Sequence, residues 1–199
     1  MNRTTSGGFT LIELLVVVAL ILTMYVMAYG PAQKSFQEKQ LIVCQKNLLM
    51  IQIALKIYAS DYHDSYPVVP GALSSETPLS LLVPRDTTET AIFICPGSAR
   101  RRLPEAEPFT HRKISYAYYM GRTLQDGSEA ALASDAQVDA APKTPGQTVF
   151  SPDGKKPGNN HYQYGGNFLF CDGSVQYTPS RLAFTLPPAT NVVLLNPKP

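Results

Sequence analysis

Tryptophan is absent from the chain, cysteine and histidine occur three times each, and charged residues make up only 16% of the sequence. Seventeen basic residues stand against fifteen acidic ones, a formal net charge of +2, so there is no excess of either sign of the kind that nucleic acid demands. Nucleic acid is therefore not an expected partner. The one local exception, Arg100-Arg101-Arg102, reads first as a solvated loop, although a surface that captures DNA could use it. No Gly-x-Ser-x-Gly elbow, His-Glu-x-x-His, P-loop or EF-hand spacing occurs. Three cysteines exclude a disulfide framework and permit at most one internal pair. Cys95 with Cys171 is the expected pair, because both lie in the C-terminal part while Cys44 lies on a helix.

Charge is also missing where its absence says most. No residue from Leu14 to Gln33 carries a formal charge. Twenty helical residues at ~1.5 Å each reach roughly 30 Å, the thickness of a bilayer hydrocarbon core, so Leu14 to Ala28 is expected to span a membrane. One acid, Glu13, stands at the apolar entrance, where a carboxylate costs roughly 2.5 to 3.5 kcal/mol and needs a partner. Cutting between Gly8 and Phe9 would supply one, since the new α-amino group of Phe9 lies one helical turn before Glu13. An ordinary secretory signal, with Arg3 in its n-region and Val26-Met27-Ala28 at its cleavage site, is the competing reading. It leaves the acid and the continuing helical periodicity unexplained.

Gly8 followed by Phe9-Thr10-Leu11-Ile12-Glu13 and a long apolar helix resembles, letter for letter, the type IV pilin and type II secretion pseudopilin superfamily. The resemblance implies that a prepilin peptidase cleaves after Gly8 and N-methylates Phe9, and that Glu13 neutralises the N-terminal amine of a neighbouring subunit during assembly. It implies an α+β, pilin-like fold: a long N-terminal helix, transmembrane and then amphipathic, packed on a small antiparallel β-sheet with long loops. The expected partners are other pilin-like subunits in a homo- or hetero-polymer, the peptidase, an inner-membrane assembly platform, and membrane lipid before assembly. The expected location is a single pass through a bacterial inner membrane with the C-terminal domain outside the cytoplasm, and a filament in the periplasm or at the cell surface. Support of protein export by a pseudopilus is the first functional expectation. A type IV pilus for adhesion or DNA uptake is the second, and a secreted binding module a distant third. No enzymatic activity is expected.

The chain divides on this reading into a leader at 1–8, a transmembrane and polymerisation helix at 9–33, an amphipathic continuation at 34–62 and a β-rich domain at 63–199 with an irregular tail. Leu41, Cys44, Leu48, Ile51, Leu55, Tyr58 and Tyr62 recur at steps of three and four and form one helix face for the sheet, on which Cys44 reads as a small apolar residue. Gly30-Pro31 is expected to kink or locally melt the helix. Turn residues from His63 to Pro67 end it. Ala91–Cys95, Ile114–Met120, a segment near 131–134 and 191–195 read as strands, and 79–83 as a short helical turn.

The strongest strand signal is Asn167 to Cys171, Asp172-Gly173, and Ser174 to Tyr177, a hairpin with a two-residue turn. That register pairs Phe170 with Val175 and Phe168 with Tyr177, and turns Leu169 and Cys171 to a wetter face. His161, Gly165-Gly166-Asn167 and Asp172-Gly173 resemble a second family motif, a His, nine residues and Asp-Gly, but ten residues separate His161 from Asp172 here. His161, Asp172, Asp135 and Cys171 are the raw material of acid-base or nucleophilic chemistry, yet Asp172 is accounted for by the turn and a loop His more often serves structure. Calcium is the one cofactor considered: Asp153, Asn159 and Asp172 are loop oxygen donors, and major pseudopilins bind calcium in a C-terminal loop. The tyrosines at 116, 118, 119, 162 and 164 suit either a sheet or an exposed patch.

Overall fold

The computed structural model describes residues 9–199, so the leader and the expected scissile residue Gly8 lie outside the described residues. Two compact units are present, Met1–Glu38 and Lys39–Pro199. Helix α1, Leu11–Asp61, contributes 51 residues to the two. The backbone is assigned helical through Gly30 and Pro31, which corrects the expectation of local melting: one missing N–H removes a single hydrogen bond from a long cooperative ladder. The helix ends where His63 and Asp64 take φ values of 54° and 61°, and the Ala59 carbonyl accepts the amides of both Tyr62 and Asp64.

In the second unit, five antiparallel strands form one sheet in the order β4-β3-β2-β1-β5, with β1 at Tyr116–Met120, β2 at Ala131–Asp135, β3 at Gly166–Phe170, β4 at Val175–Thr178 and β5 at Val193–Leu195. The α+β, pilin-like arrangement is as expected. One sheet face packs on α1. Cys44, Leu48, Ile51 and Leu55 are fully buried against Tyr116, Tyr118, Leu132 and Leu169. Each of the three large aliphatic side chains contributes about 1.5–3 kcal/mol by leaving water. The opposite sheet face is covered as well. Phe150 and Leu182 pack on Phe168, Phe170 and Tyr119, with the Phe184 ring 5.2 Å from Phe168.

Two expectations fail for physical reasons. Residues 90–93 form a 3-10 turn rather than the expected Ala91–Cys95 strand; the turn buries Ile92 and Phe93 without needing a partner strand. Five apolar residues before a proline do not distinguish the two. In the hairpin, Leu169 pairs with Val175 and Phe168 with Gln176, one residue away from the expected register. The loop holds three residues, since Phe170 N–H donates to the Ser174 carbonyl and Gly173, at φ 102°, donates to the Phe170 carbonyl. The faces of β3 are also the reverse of the expectation: Leu169 and Cys171 lie in the core under α1, where the slip brings Val175 alongside them, and Phe168 and Phe170 belong to the second cluster.

Candidate functional site

In the first unit, α1 begins on a reciprocal cap. The Thr10 N–H donates to Glu13 Oε2 at 2.9 Å and its hydroxyl donates to the same oxygen at 2.7 Å. The Glu13 N–H in turn lies 3.3 Å from Thr10 Oγ1, which completes a capping box. The carboxylate is thus held at the helix entrance rather than buried. Beyond it, Leu14, Leu15, Val16, Val17, Leu20, Ile21, Leu22, Met24 and Val26 are all exposed. The helix is long and apolar enough to cross a membrane.

In the second unit, the part of α1 that faces the sheet has an apolar reverse side. Ile42, Leu49, Ile53 and Ile57 are exposed and fall on one stripe opposite the buried residues. Such a helix is apolar on two sides.

A buried polar cluster lies between α1 and the sheet. Cys44, Cys95, Asp135 and His161 each offer one ligand-type atom, and these four atoms lie within 4.8 Å of one another. Cys44 comes from α1, Cys95 follows the 3-10 turn, Asp135 ends β2, and His161 sits in the loop before β3. His161 Nε2 is 3.3 Å from Cys95 Sγ and 3.5 Å from Asp135 Oδ2. Asn160 Nδ2 donates to Asp135 Oδ1 at 2.9 Å, and the Asn167 amide donates to Oδ2 at 2.8 Å. Burial pushes both thiols up; for Cys95 the amides of Gly97 and Ser98 oppose it. Burial works against the charged form of His161, but the carboxylate of Asp135 outweighs it and raises the imidazole.

The expected Cys95–Cys171 disulfide is not formed: all three cysteines are free, and Cys95 lies beside Cys44. Cys171 belongs to the hairpin turn and lies in the core under α1. Neither does His161 meet Asp172. That carboxylate accepts the Ser174 amide and hydroxyl, both at 2.8 Å, within the turn. Of the calcium candidates, Asp153 accepts from Ser151 and Lys155, and Asn159 donates to the Gly154 carbonyl at 3.1 Å. Tyr116, Tyr118 and Tyr119 are buried, while Tyr162 is exposed. Arg100, Arg101 and Arg102 line a cavity of about 380 Å³ together with Arg112, Lys113 and Lys156. Cys44 is the cluster member that sequence reasoning placed in the core alone. The local signal in the sequence was at Cys95 instead, where Pro96-Gly97 makes a turn closed by the Ser98 amide donating to the Cys95 carbonyl at 3.0 Å.

An apolar N-terminal helix and a helix-on-sheet domain define the pilin-like class. Residues 3–29 match the family model described as the prokaryotic N-terminal methylation motif, the signal of type IV pilins and pseudopilins. The match ends within α1 and says nothing of the sheet domain. Neither curated proteins nor solved structures give a significant match to the chain.

Proposed function

We propose that the chain is a structural subunit of a type IV pilus-like filament, and that the filament is a type II secretion pseudopilus supporting protein export. The observation that carries this reading is the run of exposed apolar side chains on α1 within the segment that matches the methylation motif. A surface of that size needs an apolar environment. Lipid supplies it while the subunit waits in the inner membrane, with the domain outside the cytoplasm. Sister helices supply it after extraction, so anchor and polymer core are one surface used in turn. The stripe of Ile42, Leu49, Ile53 and Ile57 extends the same chemistry along the domain half of α1.

Prepilin peptidase cuts between Gly8 and Phe9 and methylates Phe9 in this scheme, and the Glu13 carboxylate receives the amine of the next subunit. Mass spectrometry of the membrane-extracted protein is expected to find N-methyl-Phe9 at the mature N-terminus. A mature start at Tyr29 would mean ordinary signal-peptide processing and would overturn the filament reading.

The basic cavity favours a second reading, a surface pilus that takes up DNA. Deletion of the gene is expected to block export of secreted enzymes while adhesion and DNA uptake persist. The reverse pattern, with uptake abolished by Arg101→Ala and Arg102→Ala, selects the second reading.

A further inference from the structure

We propose that Cys44, Cys95, Asp135 and His161 form a tetrahedral binding site for a borderline-soft divalent metal ion, with Zn²⁺ the best match to the donor set. Two sulfurs, one imidazole nitrogen and one carboxylate oxygen are the donor types that zinc takes in closed four-coordinate sites, and calcium and magnesium do not take thiolates. The four atoms lie within 4.8 Å of one another. A tetrahedron with bonds of ~2.0–2.3 Å has edges of roughly 3.3–3.8 Å, so the Cys95–His161 and His161–Asp135 separations of 3.3 and 3.5 Å already have the required length. The longest edge must contract by about an ångström.

The surroundings are those of a ligand set rather than of an accidental cluster. The Asp135 carboxylate is held by two hydrogen-bond donors, Asn160 Nδ2 at 2.9 Å and the Asn167 backbone amide at 2.8 Å. On the far side of the imidazole, buried His161 Nδ1 has no hydrogen-bond partner among the described residues, and neither has buried Gln40 Oε1. Both lie about 3 Å from the point that a Cβ on Gly97 would occupy, at 2.9 and 3.0 Å. With Nε2 on a metal the ring carries its proton on Nδ1, which leaves that atom a donor on the side where Gln40 Oε1 also lies close to Gly97. Gly97 is what lets these groups approach. A cavity of about 440 Å³ is lined by Gly97, Ser98, Ala136 and Asn160, chain neighbours of Cys95, Asp135 and His161, while the four ligands themselves are buried behind it.

The ion would fasten α1 to the sheet domain at residues far apart in sequence, so its binding energy adds to folding stability. This inference is independent of which filament the subunit serves.

The test uses the full chain extracted in detergent, with Zn²⁺ and Co²⁺ as probes. Roughly one Zn²⁺ per chain is expected to remain through gel filtration. The Co²⁺ form is expected to show sulfur-to-cobalt charge transfer with tetrahedral ligand-field bands, and excess Ca²⁺ is not expected to displace it. Cys95→Ser is expected to abolish both signals and Cys171→Ser to keep them. Because Cys95→Ser removes a core residue, His161→Cys provides a check that preserves four ligands: it is expected to retain Co²⁺ with stronger charge transfer. Three results overturn the proposal: a metal-free chain with Cys44 and Cys95 joined as a disulfide, an octahedral cobalt spectrum, or unchanged binding in Cys95→Ser.

Discussion

Glu13 and Thr10 satisfy each other at the first turn of α1, with both the amide and the hydroxyl of Thr10 directed at one carboxylate oxygen. The acid that the proposed function assigns to assembly therefore has a second occupation, as the N-terminal cap of the helix. The cap keeps the carboxylate exposed and oriented at the helix entrance.

The two roles separate by substitution. Glu13→Gln retains a capping side chain without the charge, so normal processing and a normal helix are expected with filament formation lost. Thr10→Ala keeps the charge and loses the cap, at a cost of about 1 kcal/mol, and is expected to assemble. Sedimentation and electron microscopy of the processed subunits read both outcomes. Glu13→Gln filaments as abundant as the wild type would leave the acid with the capping role only.

The two sides of α1 in the domain are expected to respond differently. Leu48→Ala and Ile51→Ala each empty a fully buried site and are expected to destabilise the subunit by about 2–5 kcal/mol in denaturant unfolding. Ile53→Ala and Ile57→Ala, on the exposed stripe, are expected to change subunit stability by less than about 0.5 kcal/mol while reducing polymer yield. An unfolding midpoint lowered equally by both pairs would contradict the two-sided helix.

Gly173 closes the hairpin at φ 102°, and a Cβ there would come 2.6 Å from the Gln52 amide on α1. Gly173→Ala is expected to cost about 1–2 kcal/mol from the backbone alone, read as a lower Tm. Gly127→Ala, where a Cβ meets open space, is the matched control.

Acid sensitivity is expected from one ion pair. Burial alone would raise Asp126, but the Thr123 amide at 2.7 Å and the Arg122 guanidinium at 2.8 Å hold it below the usual carboxylate range. A depressed folded-state pKa means stability fully present above the unfolded value, about 3.9, and lost as pH falls through the lower folded one. Asp126→Asn is expected to flatten that acid limb in a stability-against-pH profile. It is also expected to lower stability at neutral pH, because Arg122 is left buried with less compensation.

Much of this architecture could be read locally. The apolar stripe of α1, the strands around Tyr116–Met120 and Ala131–Asp135, and the edge strand near Leu195 follow from periodicity and turn residues. Asp172-Gly173 marks the hairpin, but its register depends on one loop residue that composition does not count. The buried cluster was illegible for a different reason. Cys44, Cys95, Asp135 and His161 come from four separate segments, and no short-range spacing unites them. His161 was linked by motif to Asp172, whereas the fold supplies Asp135 in its place.

Apart from the exposed Asp61–Arg85 ion pair at its end, the polar contacts of α1 with the rest of the domain lie near the start of the domain half. Gln40 reaches the Pro96 carbonyl at 3.3 Å, Gln45 and the Leu41 carbonyl both meet Asn167 at 3.2 Å, and Asn47 bonds the Ile94 carbonyl at 3.1 Å. Tension drawn along this segment of α1 would load these bonds together, in shear, instead of peeling them one after another. The apolar contacts of Leu48, Ile51 and Leu55 lie farther along the same helix and share that load. A subunit built this way is suited to a polymer that is pulled upon: its mechanical strength resides in the helix-to-sheet seam, and the first bonds to yield under force are expected to be those of Gln40, Gln45 and Asn47.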